Sequence, residues 1–248
     1  MKRKVGLFIP CYIDQFYPNI AIATLKLLEK FDLEVGYPLE QTCCGQPMAN
    51  SGFEEASLDA AQLFIRNFQE FDYIVAPSGS CVLHVKEHYN LLPGSEAVTK
   101  VRENTFELCE FLVDVLKVDH LKARFPFKVG YHSSCHGQRG LCLSQSSELN
   151  APGFSKPKQL LQMVDGLELV ELNRPDECCG FGGTFAVSEE AVSVRMGKDR
   201  IQDHLEQGAE VLTGGDASCL MHLEGLIKRK QLPLKVKHIA EILNGESV

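Results

Sequence analysis

Eight of the ten cysteines in this 248-residue chain fall into two sets of the same order. The first is Cys11, Cys43-Cys44-Gly45 and Cys81; the second is Cys135, Cys178-Cys179-Gly180 and Cys219. Matched positions lie 124, 135 and 138 residues apart, so a duplicated unit has drifted by insertion and kept its order. Buried inert thiols would account for one or two such positions, whereas two matched sets of soft donors point to metal ligation. Adjacent cysteines tell against a simple tetrahedral zinc site without excluding it. Two neighbouring thiolates converge on one ion less easily than the ends of a Cys-x-x-Cys loop, while a multi-iron cluster spreads them over several metals. A glycine beside each pair admits tight backbone and lets main-chain N–H groups approach sulfur.

The elements that carry these thiols follow from periodicity. Val5 to Ile9 is a short apolar run suited to a buried strand, and Asn19 to Phe31 then has helical spacing. Strands are expected at Glu34–Tyr37 before Cys43 and at Tyr73–Ala76 before Cys81, with a helix at about Glu54–Glu70 between them and another through Phe106, Cys109, Leu112 and Leu116. The second half repeats the order: strand Lys128–Tyr131 before Cys135, strand Leu167–Leu172 before Cys178, helix Ser188–Leu205, strand Glu210–Leu212 before Cys219, and a last helix Val236–Leu243. The expected fold is α/β: two similar domains, 1–122 and 123–248, each a small parallel sheet flanked by helices and related by internal duplication. Ligands of such sheets gather beyond the carboxyl ends of the strands, where every cysteine of the repeat falls.

Composition is that of an ordinary globular protein, 44% hydrophobic and 23% charged, and the net charge of -8 with no basic stripe argues against nucleic acid or anionic membrane as a partner. Lys228-Arg229-Lys230 reads as a solvated helix end. The basic start at Met1 and the five-residue run after it do not make a signal-peptide core, and no stretch reaches the length of a membrane span. A cytoplasmic location is therefore expected, and ten cysteines in a reducing compartment read as metal or redox chemistry.

The patterns Cys-x31-Cys-Cys-Gly-x35-Cys and Cys-x42-Cys-Cys-Gly-x38-Cys resemble the duplicated cysteine-rich CCG domain, a family that includes the cysteine-rich subunit of heterodisulfide reductase and the iron-sulfur subunit of glycolate oxidase. Cys43-Cys44-Gly45-Gln46-Pro47, Pro77-Ser78-Gly79-Ser80-Cys81, Cys178-Cys179-Gly180-Phe181-Gly182-Gly183-Thr184-Phe185 and Lys237-His238-Ile239-Ala240-Glu241-Ile242-Leu243 resemble its lactate-utilization branch most. The resemblance covers nearly the whole chain. It implies an iron-sulfur electron-transfer subunit that works with other lactate-utilization proteins, including a ferredoxin-type iron-sulfur subunit, to oxidise L-lactate to pyruvate. It also implies one or two 4Fe-4S clusters held by the two sets, Cys11, Cys43, Cys44 and Cys81, and Cys135, Cys178, Cys179 and Cys219. One departure matters. The heterodisulfide reductase member ends each motif in Cys-x-x-Cys and uses the fifth thiol to hold a non-cubane 4Fe-4S cluster, whereas this chain has His84 after Cys81 and His222 after Cys219. The histidines are either substitute ligands or ordinary helix residues, and a cubane cluster, or zinc in one half, stays open.

Other cysteines and histidines have plainer readings. Cys109 lies on an apolar helix face, Cys142 is a free thiol, His132 at a strand end is a core residue and His136 a surface one. No Gly-x-Gly-x-x-Gly follows the first strand and no Ser/His/Asp arrangement stands out, so a hydride acceptor has to sit elsewhere. Two alternatives to electron transfer stay open: a catalytic cluster acting on a disulfide or a 2-hydroxy acid, and a structural zinc protein.

Overall fold

The computed structural model describes residues 2–149 and 153–245. In the first half β1 (Arg3–Leu7) leads to α1 (Cys11–Phe16) and α2 (Pro18–Glu29), and β2 (Leu33–Gly36) leads to α3 (Gln46–Asn50) and α4 (Glu54–Phe68). β3 (Tyr73–Ala76) leads to α5 (Gly79–His88) and α6 (Glu96–Glu103), and β4 (Thr105–Glu107) to α7 (Leu108–Glu110). The second half runs β5 (Lys128–His132), α8 (Lys156–Leu161), β6 (Glu168–Val170), α9 (Phe185–Ser188), α10 (Glu190–Glu206), β7 (Val211–Gly214), α11 (Ala217–Lys230), β8 (Lys235–His238) and α12 (Ile239–Asn244).

Each half builds a four-stranded, all-parallel sheet, in the order β2-β1-β3-β4 and again β6-β5-β7-β8. The identical order bears out the expected α/β duplication. In both sheets the chain winds first to one side of the opening strand and then to the other. Connections leaving in opposite directions open a crevice at the carboxyl ends, between β1 and β3 and between β5 and β7. Cys11 and Cys81, and likewise Cys135 and Cys219, begin the segments that leave that crevice.

The fourth strand of each sheet corrects the sequence reading, which assigned Phe106 and Val236 to helices. Ile74 pairs with Thr105, and Leu212 with Val236, so the backbone is held in a ladder before any helix begins. Capping boxes then start the helices: Glu107 with Glu110 on α7, and His238 with Glu241 on α12. The periodicity that suggested longer helices comes from apolar residues on both sides of these caps.

The main core belongs to both halves. It joins Val5, Leu7 and Val75 of the first sheet to Val129, Tyr131 and Val211 of the second through Leu27 and Leu28 of α2, Leu160 and Leu161 of α8, and Ile242 and Leu243 of α12. α12, which closes the second half, packs on α2 of the first as well as on α8. Each fully buried Leu or Ile here contributes about 1.5–3 kcal/mol, so the packing that makes the core also fixes the orientation of the two crevices. Two smaller clusters lie on the outer faces, one including Cys44 and Cys81 and the other Cys179 and Cys219. Among the described residues no helix is long and apolar enough to cross a membrane. Lys228-Arg229-Lys230 is the exposed last turn of α11, where Lys228 pairs with Glu224.

Candidate metal centre

The fold delivers the thiols to equivalent points. Cys81 and Cys219 are the third residues of α5 and α11, in the first turn of each helix. Ser78 caps α5 by accepting from the Cys81 N–H. The adjacent pairs lie in the loops after β2 and β6, and each is followed by a left-handed glycine, Gly45 at φ 94° and Gly180 at φ 87°. That backbone turns the Gly45 N–H onto Cys43 Sγ and the Gly180 N–H onto Cys178 Sγ, both at 3.4 Å. A Cβ on Gly180 would stand 2.6 Å from the Ser193 carbonyl oxygen, and one on Gly45 would stand 3.0 Å from Ser57 Cβ. Backbone angle and space therefore both require glycine.

Within each set the sulfurs touch in sequence. Cys11 Sγ lies 3.7 Å from Cys43 Sγ. The Cys11 thiol donates to Cys43, which with the neighbouring Cys44 thiol holds Cys43 well below the usual thiol range; Cys135 and Cys179 do the same for Cys178. The donors are pushed up in return: Cys11 and Cys44 by their bonds to Cys43, and Cys135 and Cys179 by theirs to Cys178. All ten cysteines are free thiols. Each set thus keeps one sulfur ready to lose its proton beside three further donors.

The eight thiols share one opening. A cavity of about 450 Å³ between the halves is lined by both complete sets together with Tyr12, His136 and Phe181. Tyr12, next to Cys11, meets Phe181, next to the second Cys-Cys-Gly, edge to face with ring centroids 6.1 Å apart. Asp216 ties the walls together. Its Oδ1 accepts from Ser78 Oγ at 2.9 Å, Ser80 Oγ at 2.8 Å and Ser80 N at 3.1 Å, so a carboxylate of the second half holds the start of the helix that carries Cys81. Ser78 and Asp216 precede Cys81 and Cys219 by the same number of residues, so they are duplicate positions that meet each other. The sequence reading missed this contact, for which the matched spacing was the available signal.

The donor chemistry fits a multi-metal group better than a single ion. Four thiolates around one zinc at about 2.3 Å put every sulfur within about 4 Å of every other. Among the described residues the trio of potential ligands whose donor atoms all lie within 4.8 Å of one another is His132, Cys179 and Cys219, and no trio of thiols from one set meets that condition. Sulfurs strung out along a cavity wall suit a cluster that offers several irons.

The histidines divide. His84 is buried, stacked on His88 with centroids 4.9 Å apart, and burial lowers its pKa to about 4. His222 places Nε2 3.3 Å from the Ser193 carbonyl oxygen. His84 faces Gly45 of the first Cys-Cys-Gly loop, His222 faces Gly197 of α10, and neither belongs to the trio. His136 is half-buried on the cavity wall, with Nδ1 3.8 Å from Cys135 Sγ, closer to the site than a surface reading implies. Cys109 is buried core and Cys142 a free thiol, both as expected, and Cys142 is exposed.

Fold and site together define a two-fold repeated cysteine-rich α/β protein whose halves present paired soft-ligand sets to a common cavity. The model of the CCG cysteine-rich domain matches residues 5–86 and again 129–224. The chain is 45% identical over 97% of its length, and 97% of the relative's, to lactate utilization protein A of an Exiguobacterium species, and 42% identical over 98% and 97% to lactate utilization protein A of Halalkalibacterium halodurans. It belongs to the lactate utilization protein A family of CCG-domain proteins. A hypothetical protein from Helicobacter pylori shares the fold, with a TM-score of 0.60 at 11% identity; the match covers 97% of this chain and 48% of that one.

Proposed function

We propose that this chain is the iron-sulfur electron-transfer subunit of a cytoplasmic assembly that oxidises L-lactate to pyruvate. The observation that carries the reading is the pair of cysteine sets, each a string of neighbouring thiols, opening onto one cavity. Lactate oxidation releases two electrons and two protons. The chain has no glycine-rich dinucleotide loop after its first strand, so a hydride acceptor belongs to a partner protein. Thiolate-bound iron supplies one-electron acceptance and donation at a potential set by charge, burial and hydrogen bonds to sulfur. Cys11, Cys43, Cys44 and Cys81 would hold one group, and Cys135, Cys178, Cys179 and Cys219 the other. The Gly45, Gly180 and Phe181 N–H groups donate to sulfur and offset thiolate charge. Tyr12 and Phe181 meet across the cavity and add apolar surface to its wall.

The shared cavity also favours a second reading, in which a 2-hydroxy acid or a disulfide binds this chain directly between the two sets. Adding L-lactate to the oxidised, iron-loaded chain separates the two. Loss of visible absorption only when the partner proteins are present is the expected result, and lactate-dependent bleaching of the chain alone would overturn the electron-transfer reading.

A further inference from the structure

The two halves differ beneath their cysteines. In the first half Phe8, three residues before Cys11, packs edge to face on Phe64 at 4.8 Å and on Phe68 at 5.9 Å between centroids, and it is fully buried. The same offset before Cys135 places His132 at the duplicate position. The partners change with it. Gly6 of β1 abuts Phe68 and Gly130 of β5 abuts His204, which aligns α4 with α10 and puts Arg200 where the first half has Phe64. Three phenylalanines have become His132, Arg200 and His204, all with 1% exposure or less.

The changed residues are not equally provided for. Arg200 pairs with Asp203 and donates to the Arg174 carbonyl oxygen, while Asp203 accepts from the Asn173 and Arg174 N–H groups. His132 and His204 have no protein partner on either ring nitrogen. A buried imidazole that only filled space would do so less well than the phenylalanine its duplicate uses, because its nitrogens lose water and gain nothing. A ring nitrogen of His132 instead lies within 4.8 Å of both Cys179 Sγ and Cys219 Sγ, and all three residues are buried.

We propose that His132 is a ligand of the metal centre in the second half, so that the two centres differ: thiolates alone in the first, thiolates with one imidazole in the second. This rests on the reading that both cysteine sets hold metal. The Arg200 guanidinium, close behind His132 and without a counterpart behind Phe8, adds positive charge near the second centre and makes it the easier to reduce, since charge tunes the potential of an iron-sulfur centre. The first centre lacks that charge and is the poorer acceptor.

The test uses the full chain, prepared anaerobically, loaded with ferrous iron and sulfide, and grown with histidine ring nitrogens as either 14N or 15N. Pulsed electron paramagnetic resonance of the reduced protein should show a strong, isotope-sensitive coupling from a directly bound nitrogen. The coupling should vanish in His132→Phe and persist in His84→Ala and His222→Ala. His132→Phe should also lose about half of the bound iron. The labelled wild-type chain supplies the decisive reading should His132→Phe fail to fold. Iron in both halves with no nitrogen coupling, or a coupling retained in His132→Phe, would overturn the assignment of His132 alone. A chain whose cysteine sets take up no iron would overturn the metal reading and this proposal together.

Discussion

Glu107 is wholly buried, its Oε2 accepts from the Cys109 N–H at 2.6 Å and the Glu110 N–H at 3.2 Å, and its Oε1 has no protein partner. Burial raises its pKa from the ordinary 4.5 to about 8, against those two N–H bonds and with help from the nearby Glu110 and Asp216 carboxylates. The unfolded chain loses this proton from about pH 4.5, while the folded chain keeps it until about pH 8. Across that window the folded state binds the extra proton, so stability is fully present at low pH and is lost as pH rises. At about 1.4 kcal/mol per pH unit the loss reaches on the order of 5 kcal/mol, and it levels off above pH 8. Glu107→Gln keeps an oxygen for the two N–H groups and removes the ionisation. Denaturant unfolding of the metal-free, reduced chain at pH 5.5, 6.5, 7.5 and 8.5 checks this. The wild type should weaken steeply relative to Glu107→Gln toward high pH. Parallel curves for the two proteins would show that Glu107 is ionised in the fold throughout and would refute the reasoning.

Three further outcomes follow from the site. Gly180→Ala forces a Cβ against a carbonyl oxygen in left-handed backbone, and should cost about 2 kcal/mol or more in denaturant unfolding and exceed the cost of Gly45→Ala, where the nearest contact is looser. Asp216→Ala removes an acceptor shared by Ser78 and Ser80 between the halves, and a loss of about 2–4 kcal/mol is expected in the same assay, with a smaller loss for Asp216→Asn. Cys142→Ser should leave iron content unchanged and remove the thiol that reacts first with an alkylating reagent in the iron-loaded protein, because Cys142 is the exposed cysteine.

The sequence made the repeat legible because thiols at matched spacings have few other uses, and the strands before them are short apolar runs between helical periods. β4 and β8 escaped notice for a physical reason. Thr105–Glu107 and Lys235–His238 are too short to show their own period and run straight into capped helices, so only pairing with β3 and β7 defines them. The common cavity was also out of reach, since the relative orientation of the halves is set by α12 packing on α2, a contact between the two ends of the chain. His132 was visible as the counterpart of Phe8, yet a histidine at a strand end reads as core until its unpartnered nitrogens and neighbouring sulfurs are seen.

Metal and sulfide analysis of anaerobically purified chain, with Cys43→Ser and Cys178→Ser beside the wild type, tests the central claim most directly. The account predicts iron and acid-labile sulfide with visible charge-transfer absorption in the wild type, each variant losing the share of its own half and keeping the other's. Zinc without iron and no visible absorption, or iron content that neither substitution changes, would contradict it.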